Sequence, residues 1–171
     1  MTIIGIISDT HGTLDPRALD ALAGSDVIIH AGDIGSPAIL DELRLVAPVI
    51  AVLGNCDYPE YGAEVGNWTR PVIDGVSFLI AHKPENVQLK GFGCFPLAPD
   101  EAYPQVCIHG HTHIPQVRRG GWASPAELVL CPGSATRPLG GSVRSVGRIV
   151  VENGRVKSAQ VLDLDGNVIC E

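Results

Sequence analysis

Residues 2–11 read Thr-Ile-Ile-Gly-Ile-Ile-Ser-Asp-Thr-His, an isoleucine-rich run that ends abruptly in a hydroxyl, a carboxylate and an imidazole. Such a run suits a buried strand, so the pattern predicts a first strand over Thr2 to Ser8 with Asp9 and His11 at its carboxyl end. No basic region precedes it and no small-residue cleavage site follows, so it reads as a strand and not as a signal peptide. The pattern returns four times. Asp26 to Ala31 runs into Gly32-Asp33, Pro48 to Leu53 into Gly54-Asn55, Val76 to Ala81 into His82, and Gln105 to His109 into Gly110-His111-Thr112-His113.

Between the first three strands lie two helix signals. One opens with proline at Pro16 and runs to Ala23; the other starts at Ser36-Pro37, an N-cap followed by a first-turn proline, and runs to about Val46. Two βαβ crossovers follow, the mark of an α/β sheet with parallel strands. After Asn67 the pattern changes to strands joined by short turns. Trp68 to Ile73 and Val76 to Ala81 flank Asp74-Gly75, and Arg148 to Glu152 and Arg155 to Leu164 flank Asn153-Gly154, both dipeptides of tight type I′ hairpins. Further strands are expected near Gln116 to Arg119 and Glu127 to Cys131, and Pro84 to Tyr103, rich in Gly and Pro, is expected to be a loop with one short helix.

The chain has 171 residues, the length of a single domain over 1–171, with 45% hydrophobic and 18% charged residues, which excludes disorder and coiled coil. The uncharged stretch from Leu45 to Cys56 falls well short of the roughly 20 residues a membrane span needs. Five scattered cysteines, none in C-x-x-C spacing, indicate neither a disulfide framework nor a thiolate zinc site, so a reducing cytoplasm is the expected compartment. The net charge of -7 repels long nucleic acid and anionic membranes, and phosphate chemistry would need positive charge from elsewhere.

In parallel sheets, ligands bind beyond the carboxyl ends of the strands, where loops converge. The residues delivered there are Asp9, His11, Asp33, Asn55, His82, His111 and His113. Each has an ordinary reading alone: Asp9 as an Asx-turn residue, Asp33 and Asn55 as turn residues, His82 as a strand-end hydrogen bonder. Together, carboxylate, amide oxygen and imidazole without thiolate suit Mn, Fe, Co, Ni or Zn dications. Seven groups exceed one tetrahedral ion and fit two ions sharing a carboxylate, the arrangement that clamps phosphoryl oxygens and acidifies a water. Three of the sites are preceded by glycine (Gly32, Gly54, Gly110), which lets the chain turn sharply. His30 and His109, inside or at the end of apolar runs, read as hydrogen-bonded strand residues or as partners that orient a ligand through a ring N–H.

These segments, with Pro132-Gly133-Ser134-Ala135-Thr136-Arg137-Pro138 after them, resemble the ordered motifs of the calcineurin-like metallophosphoesterases, and among them the small YfcE-like phosphodiesterase branch. The resemblance implies a four-layer α-β-β-α sandwich of two mixed β-sheets flanked by helices, with a dinuclear centre of two divalent transition-metal ions, manganese foremost. It implies Asp9, His11 and His113 as ligands of one ion, Asn55, His82 and His111 of the other, and Asp33 as the bridge. The implied activity is hydrolysis of small phosphate diesters by a metal-bound hydroxide, with no covalent enzyme intermediate. The implied partner is a small phosphodiester substrate, with no long nucleic acid and no membrane; a homo-oligomer is compatible with the chain.

Three positions depart from the wider family. Cys56 stands where many members carry a proton-donating His, Lys83-Pro84 follows His82 where glycine is frequent, and Cys131 replaces an Asn. Cys56 and the neighbouring Asp57 are candidate catalytic residues with Asn55, and Arg137 is a candidate oxyanion contact. Alternatives at this stage are a nucleotide-polyphosphate or protein phosphatase of the same superfamily, and a non-catalytic scaffold like the retromer subunit of this fold.

Overall fold

The computed structural model describes residues 1–171 apart from the side chain of Trp122. Strands β1 (Thr2–Ile7), β2 (Val27–His30) and β3 (Val49–Ala51) are parallel neighbours, joined through helices α1 (Pro16–Leu22) and α2 (Pro37–Arg44). Both helices start as their sequences dictate. Asp15 and Ser36 cap the first turns by accepting from the backbone N–H groups of Arg17 and Ala38, and a proline follows each cap. Ile39, Leu40 and Leu43 put one apolar face of α2 against the sheet.

The remaining strands are β4 (Trp68–Thr69), β5 (Val72–Ile73), β6 (Val76–Ala81), β7 (Val106–Ile108), β8 (Gln116–Arg119), β9 (Leu128–Cys131), β10 (Ser145–Glu152), β11 (Arg155–Asp163) and β12 (Val168–Cys170). One sheet has the order β12-β11-β10-β1-β2-β3, the other β4-β6-β7-β9-β8, with β5 also paired to β6. Both sheets are mixed: β10 runs antiparallel to β1, while β6, β7 and β9 are mutually parallel. Both predicted hairpins form, and their central residues (Asp74 and Gly75, Asn153 and Gly154) all have positive φ, as type I′ turns require.

The expected strand from Trp68 to Ile73 is split in two, because Pro71 has no N–H to give the ladder and constrains Arg70 before it. The short strand β12 lies beyond the predicted strands: Asp165-Gly166 turns the chain back so that Val168 pairs with Leu162.

The sheets pack face to face over a core that draws Ile4, Ile6 and Ile29 from one and Phe78, Ile80 and Ile108 from the other. The two α-helices cover the outer face of the first sheet. The outer layer on the second is thinner than the resemblance implies. A 3₁₀ turn at Pro84–Val87 and extended chain bring Val87, Leu89 and Phe95 onto Leu79 and Cys107. Pro96, Pro99 and Pro104 with Gly91 and Gly93 keep this segment from forming an α-helix. Among the described residues, no helix is long and apolar enough to cross a membrane.

Candidate metal centre

The carboxyl ends of β1, β2 and β3 in one sheet and of β6 and β7 in the other meet at one edge of the sandwich. Three clusters form there: Asp9 with His11 and His113; Asp9 with Asp33 and His82; and His11 with Asp33 and Cys56, each offering ligand atoms within 4.8 Å of one another. His113 Nε2 lies 3.1 Å from Asp9 Oδ1 and 3.4 Å from His11 Nε2, and His82 Nε2 lies 3.5 Å from Asp33 Oδ2. His111 stands beside them, its ring edge-on to His82 with centroids 5.2 Å apart. Asp9, Asp33 and His82 are buried, His11 and His113 half-buried, and Asn55, Cys56 and His111 form an exposed rim.

The backbone is bent to achieve this. Asp9, His11, Asp33, His111 and His113 all take left-handed φ between 48° and 67°; the other non-glycine residues described with positive φ are the hairpin residues Asp74 and Asn153. Left-handed backbone at non-glycine residues costs about 1–3 kcal/mol each, and clusters of it mark sites where geometry serves function. Cross-loop bonds hold it in place, from Asp9 N to Gly32 O and from His11 N to Asp33 O.

The three glycines act in two ways. Gly32 has a positive φ of 94°. Gly54 and Gly110 supply room: a Cβ at Gly54 would stand 2.0 Å from Asp33 Oδ1, and one at Gly110 would stand 1.9 Å from Ser8 Oγ and 2.7 Å from Asp9 Oδ2. The carboxylates occupy space that any side chain would fill.

Two imidazoles are fixed in one tautomer by main-chain carbonyls. His82 Nδ1 donates to Ala31 O at 2.8 Å and His113 Nδ1 to Arg137 O at 2.6 Å, which turns both Nε2 atoms toward the carboxylates. Asp9 Oδ2 accepts from Ser8 Oγ and His111 N, but Asp9 Oδ1 and His82 Nε2 are buried with no hydrogen-bond partner among the described residues. Orphaned buried atoms of this kind are costly, and a divalent cation satisfies them together. The residues present therefore fit a metal.

Electrostatics agree. Burial is the largest influence on Asp9 and pushes its carboxyl above the ordinary value, against the pull of Ser8 and of His82 and His113. Burial also raises Asp33, yet His82 and the Cys56 N–H hold it below the usual carboxylate range. Burial pushes the Cys56 thiol upward, with Asp33 beside it adding to the rise, so the thiol stays protonated at neutral pH.

The other candidates fall around the cluster. Asn55 Nδ2 donates to Cys56 Sγ at 3.3 Å. Both oxygens of Asp57 are occupied by the N–H groups of Ile34, Gly35 and Gly54 and by the Tyr61 hydroxyl, so Asp57 stitches the second and third loops together. Arg137 contributes its backbone carbonyl to His113, and its side chain lines a cleft next door.

His30 is fully buried, accepts from Gly32 N at Nδ1 and donates from Nε2 to Thr10 Oγ1, which itself donates to Ile34 O. It ties the first two loops together. His109 lies on the outer face of the second sheet, with Nδ1 on Gly110 O.

Several supporting residues lay outside the sequence reading: Ser8 on Asp9 Oδ2, and Ser134 and Thr136, whose hydroxyls both donate to Asp9 O at 2.9 Å. The signal available was hydroxyls set directly beside the motif residues.

Residues 1–154 match the model of the calcineurin-like phosphoesterase superfamily domain. A probable metallophosphoesterase of Methanothermobacter thermautotrophicus is 34% identical over 146 residues, covering 80% of this chain and 78% of that protein. A second, from Methanocaldococcus jannaschii, is 32% identical over 160 residues, covering 88% and 77%. Among solved structures, YfcE, a phosphoesterase from E. coli, superposes with a TM-score of 0.72 at 25% identity over 98% of this chain and 97% of that one. Vps29 from Cryptosporidium parvum superposes with a TM-score of 0.76 at 18% identity, over 99% and 95%, a likeness of fold alone. With its motif order, its paired sheets and its buried carboxylate–imidazole cluster, the chain belongs to the calcineurin-like phosphoesterase superfamily.

Proposed function

We propose that the protein hydrolyses small phosphate diesters with two divalent transition-metal ions at this cluster, manganese the first candidate. The observation that carries the reading is the pair of buried, unpartnered atoms, Asp9 Oδ1 and His82 Nε2, in the middle of the carboxylate–imidazole cluster. Bound there, the ions would supply Lewis acidity toward phosphoryl oxygens and the charge that acidifies an attacking water. The chain's own residues do the rest. Asp9, His11 and His113 would hold one ion and His82, His111 and Asn55 the other, with Asp33 shared between them. Main-chain carbonyls keep the imidazoles aimed, and Asp57 keeps the loops in register. Two dications there would also bring the formal charge from -7 to about -3 and turn the local field positive. A protonated Cys56 at the rim is a weaker proton donor than an imidazolium, which favours diesters with good leaving groups.

The test is turnover of bis(4-nitrophenyl) phosphate against 4-nitrophenyl phosphate by protein stripped of metal and reloaded with manganese. Diester hydrolysis that falls at least about 10²-fold in Asp33→Ala and in His111→Ala is the expected result. Full turnover in Asp33→Ala overturns the reading, and a preference for the monoester moves it toward a phosphomonoesterase. The second reading, a non-catalytic scaffold, draws on the Vps29 likeness, and it takes precedence if the metal-loaded protein turns over neither ester.

A further inference from the structure

Beside the metal cluster lies a cleft of about 400 Å³ between the loop leading into α1 and the loop after β9, lined by Thr13, Asp15, Thr136, Arg137 and Arg144. It shares its inner wall with the cluster. Thr10 sits between Asp9 and His11, and Thr136 Oγ1 donates to Asp9 O. The cationic side chains on this wall differ in how they are held. Arg144 Nη1 lies 3.0 Å from Asp15 Oδ2, and the same carboxylate takes Arg17 Nη2 at 2.9 Å. Hydrogen bonds from Arg17 hold the Asp15 carboxyl at about 2, so it is fully ionised and spent on two guanidiniums.

Arg137 is held by its backbone alone. Its N–H donates to Ser134 Oγ at 2.8 Å and its carbonyl accepts from His113, while among the described residues its guanidinium has no hydrogen bond or ion pair. In a chain of net charge -7, a fixed backbone thus presents a planar cation with no partner to a cleft where cations outnumber carboxylates. Leu14 and Pro16 give the cleft an apolar side.

We propose that this cleft is a second anion subsite: it takes a distal phosphate of the substrate while the scissile ester lies at the metal cluster, with Arg137 as its contact and the Asp15-held Arg144 as its fixed wall. The substrate class is then a phosphate diester that carries a further phosphate. The inference rests on the phosphoesterase reading, and its test separates the two.

The probes are thymidine 5′-(4-nitrophenyl phosphate) and the same compound with a 3′-phosphate, which share one scissile group. The manganese-loaded wild type is expected to favour the 3′-phosphorylated probe by about tenfold or more in kcat/KM, chiefly through KM, and Arg137→Ala to bring that ratio close to one. Arg144→Ala is expected to reduce the ratio in part. A wild-type ratio near one overturns the proposal. So does an equal loss of kcat on both probes in Arg137→Ala, which would make Arg137 a contact of the scissile phosphate. If neither probe is hydrolysed, the phosphoesterase reading fails and the subsite is judged by calorimetry on the metal-loaded protein. Tighter binding of thymidine 3′,5′-bisphosphate than of thymidine 5′-monophosphate, lost in Arg137→Ala, sustains it, and equal binding overturns it.

Discussion

Replacing Asp9 by Asn separates what the buried cluster costs the fold from what it does for a metal. Asp9 is fully buried, and while Oδ2 accepts from Ser8 Oγ and His111 N, Oδ1 has no partner and lies 3.1 Å from His113 Nε2. An asparagine can keep its oxygen on Ser8 and His111 and place its amide N–H₂ where Oδ1 was, facing the imidazole nitrogen. One new hydrogen bond, together with removal of an unpaired buried charge, is worth about 2 kcal/mol. For a chain of 171 residues that is an expected rise in Tm of roughly 4–8 °C for the metal-free variant over the metal-free wild type. Manganese at 100 times its Kd should stabilise the wild type by about 2.7 kcal/mol, or roughly 5–11 °C, and raise the variant much less. The assay is thermal unfolding by circular dichroism with and without the ion, at one fixed pH of about 8.5, above the ordinary imidazole value. A metal-free Asp9→Asn protein that melts well below the wild type would refute the reasoning, since Asp9 would then be a structural anchor. An equal response to manganese would refute it too.

Two further outcomes follow from the same geometry. Gly54→Ala pushes a Cβ to within 2.2 Å of Asp33 N and so displaces Asp33; hydrolysis of bis(4-nitrophenyl) phosphate should fall about 10²-fold, and unchanged activity would remove Asp33 from the centre. His30 is held neutral by burial, its value lowered to about 3, so the unfolded chain binds a proton that the folded one does not once pH drops below the ordinary imidazole value. Its contribution is intact at neutral pH and lost as pH falls, at about 1.4 kcal/mol per pH unit, so urea melts of His30→Gln between about pH 6 and 4.5 should show a shallower loss than the wild type. An unchanged slope would show that His30 does not titrate on unfolding.

The strands that carry the site were legible because buried parallel strands leave uninterrupted Ile and Val runs, and both hairpins because only a few dipeptides tolerate two successive left-handed residues. The 84–103 segment was less legible, because its cover of the second sheet depends on Val87, Leu89 and Phe95 finding Leu79 and Cys107 across the chain. The particular partners of Asp57 were likewise hidden: its four donors come from Ile34, Gly35, Gly54 and Tyr61, of which only Gly54 and Tyr61 are near in sequence.

By itself, the order of residues determined which groups stand at the ends of strands, because alternation of apolar and polar segments is a local property written along the chain. Tertiary structure alone decided that five of those groups would adopt left-handed backbone, that glycines would make room for carboxylates, and that Asp9 Oδ1 and His82 Nε2 would be buried without partners. It also set Arg137 on the cleft next to the cluster, its guanidinium without a partner among the described residues. Burial and pairing are sums over neighbours from both sheets, and no stretch of sequence contains them.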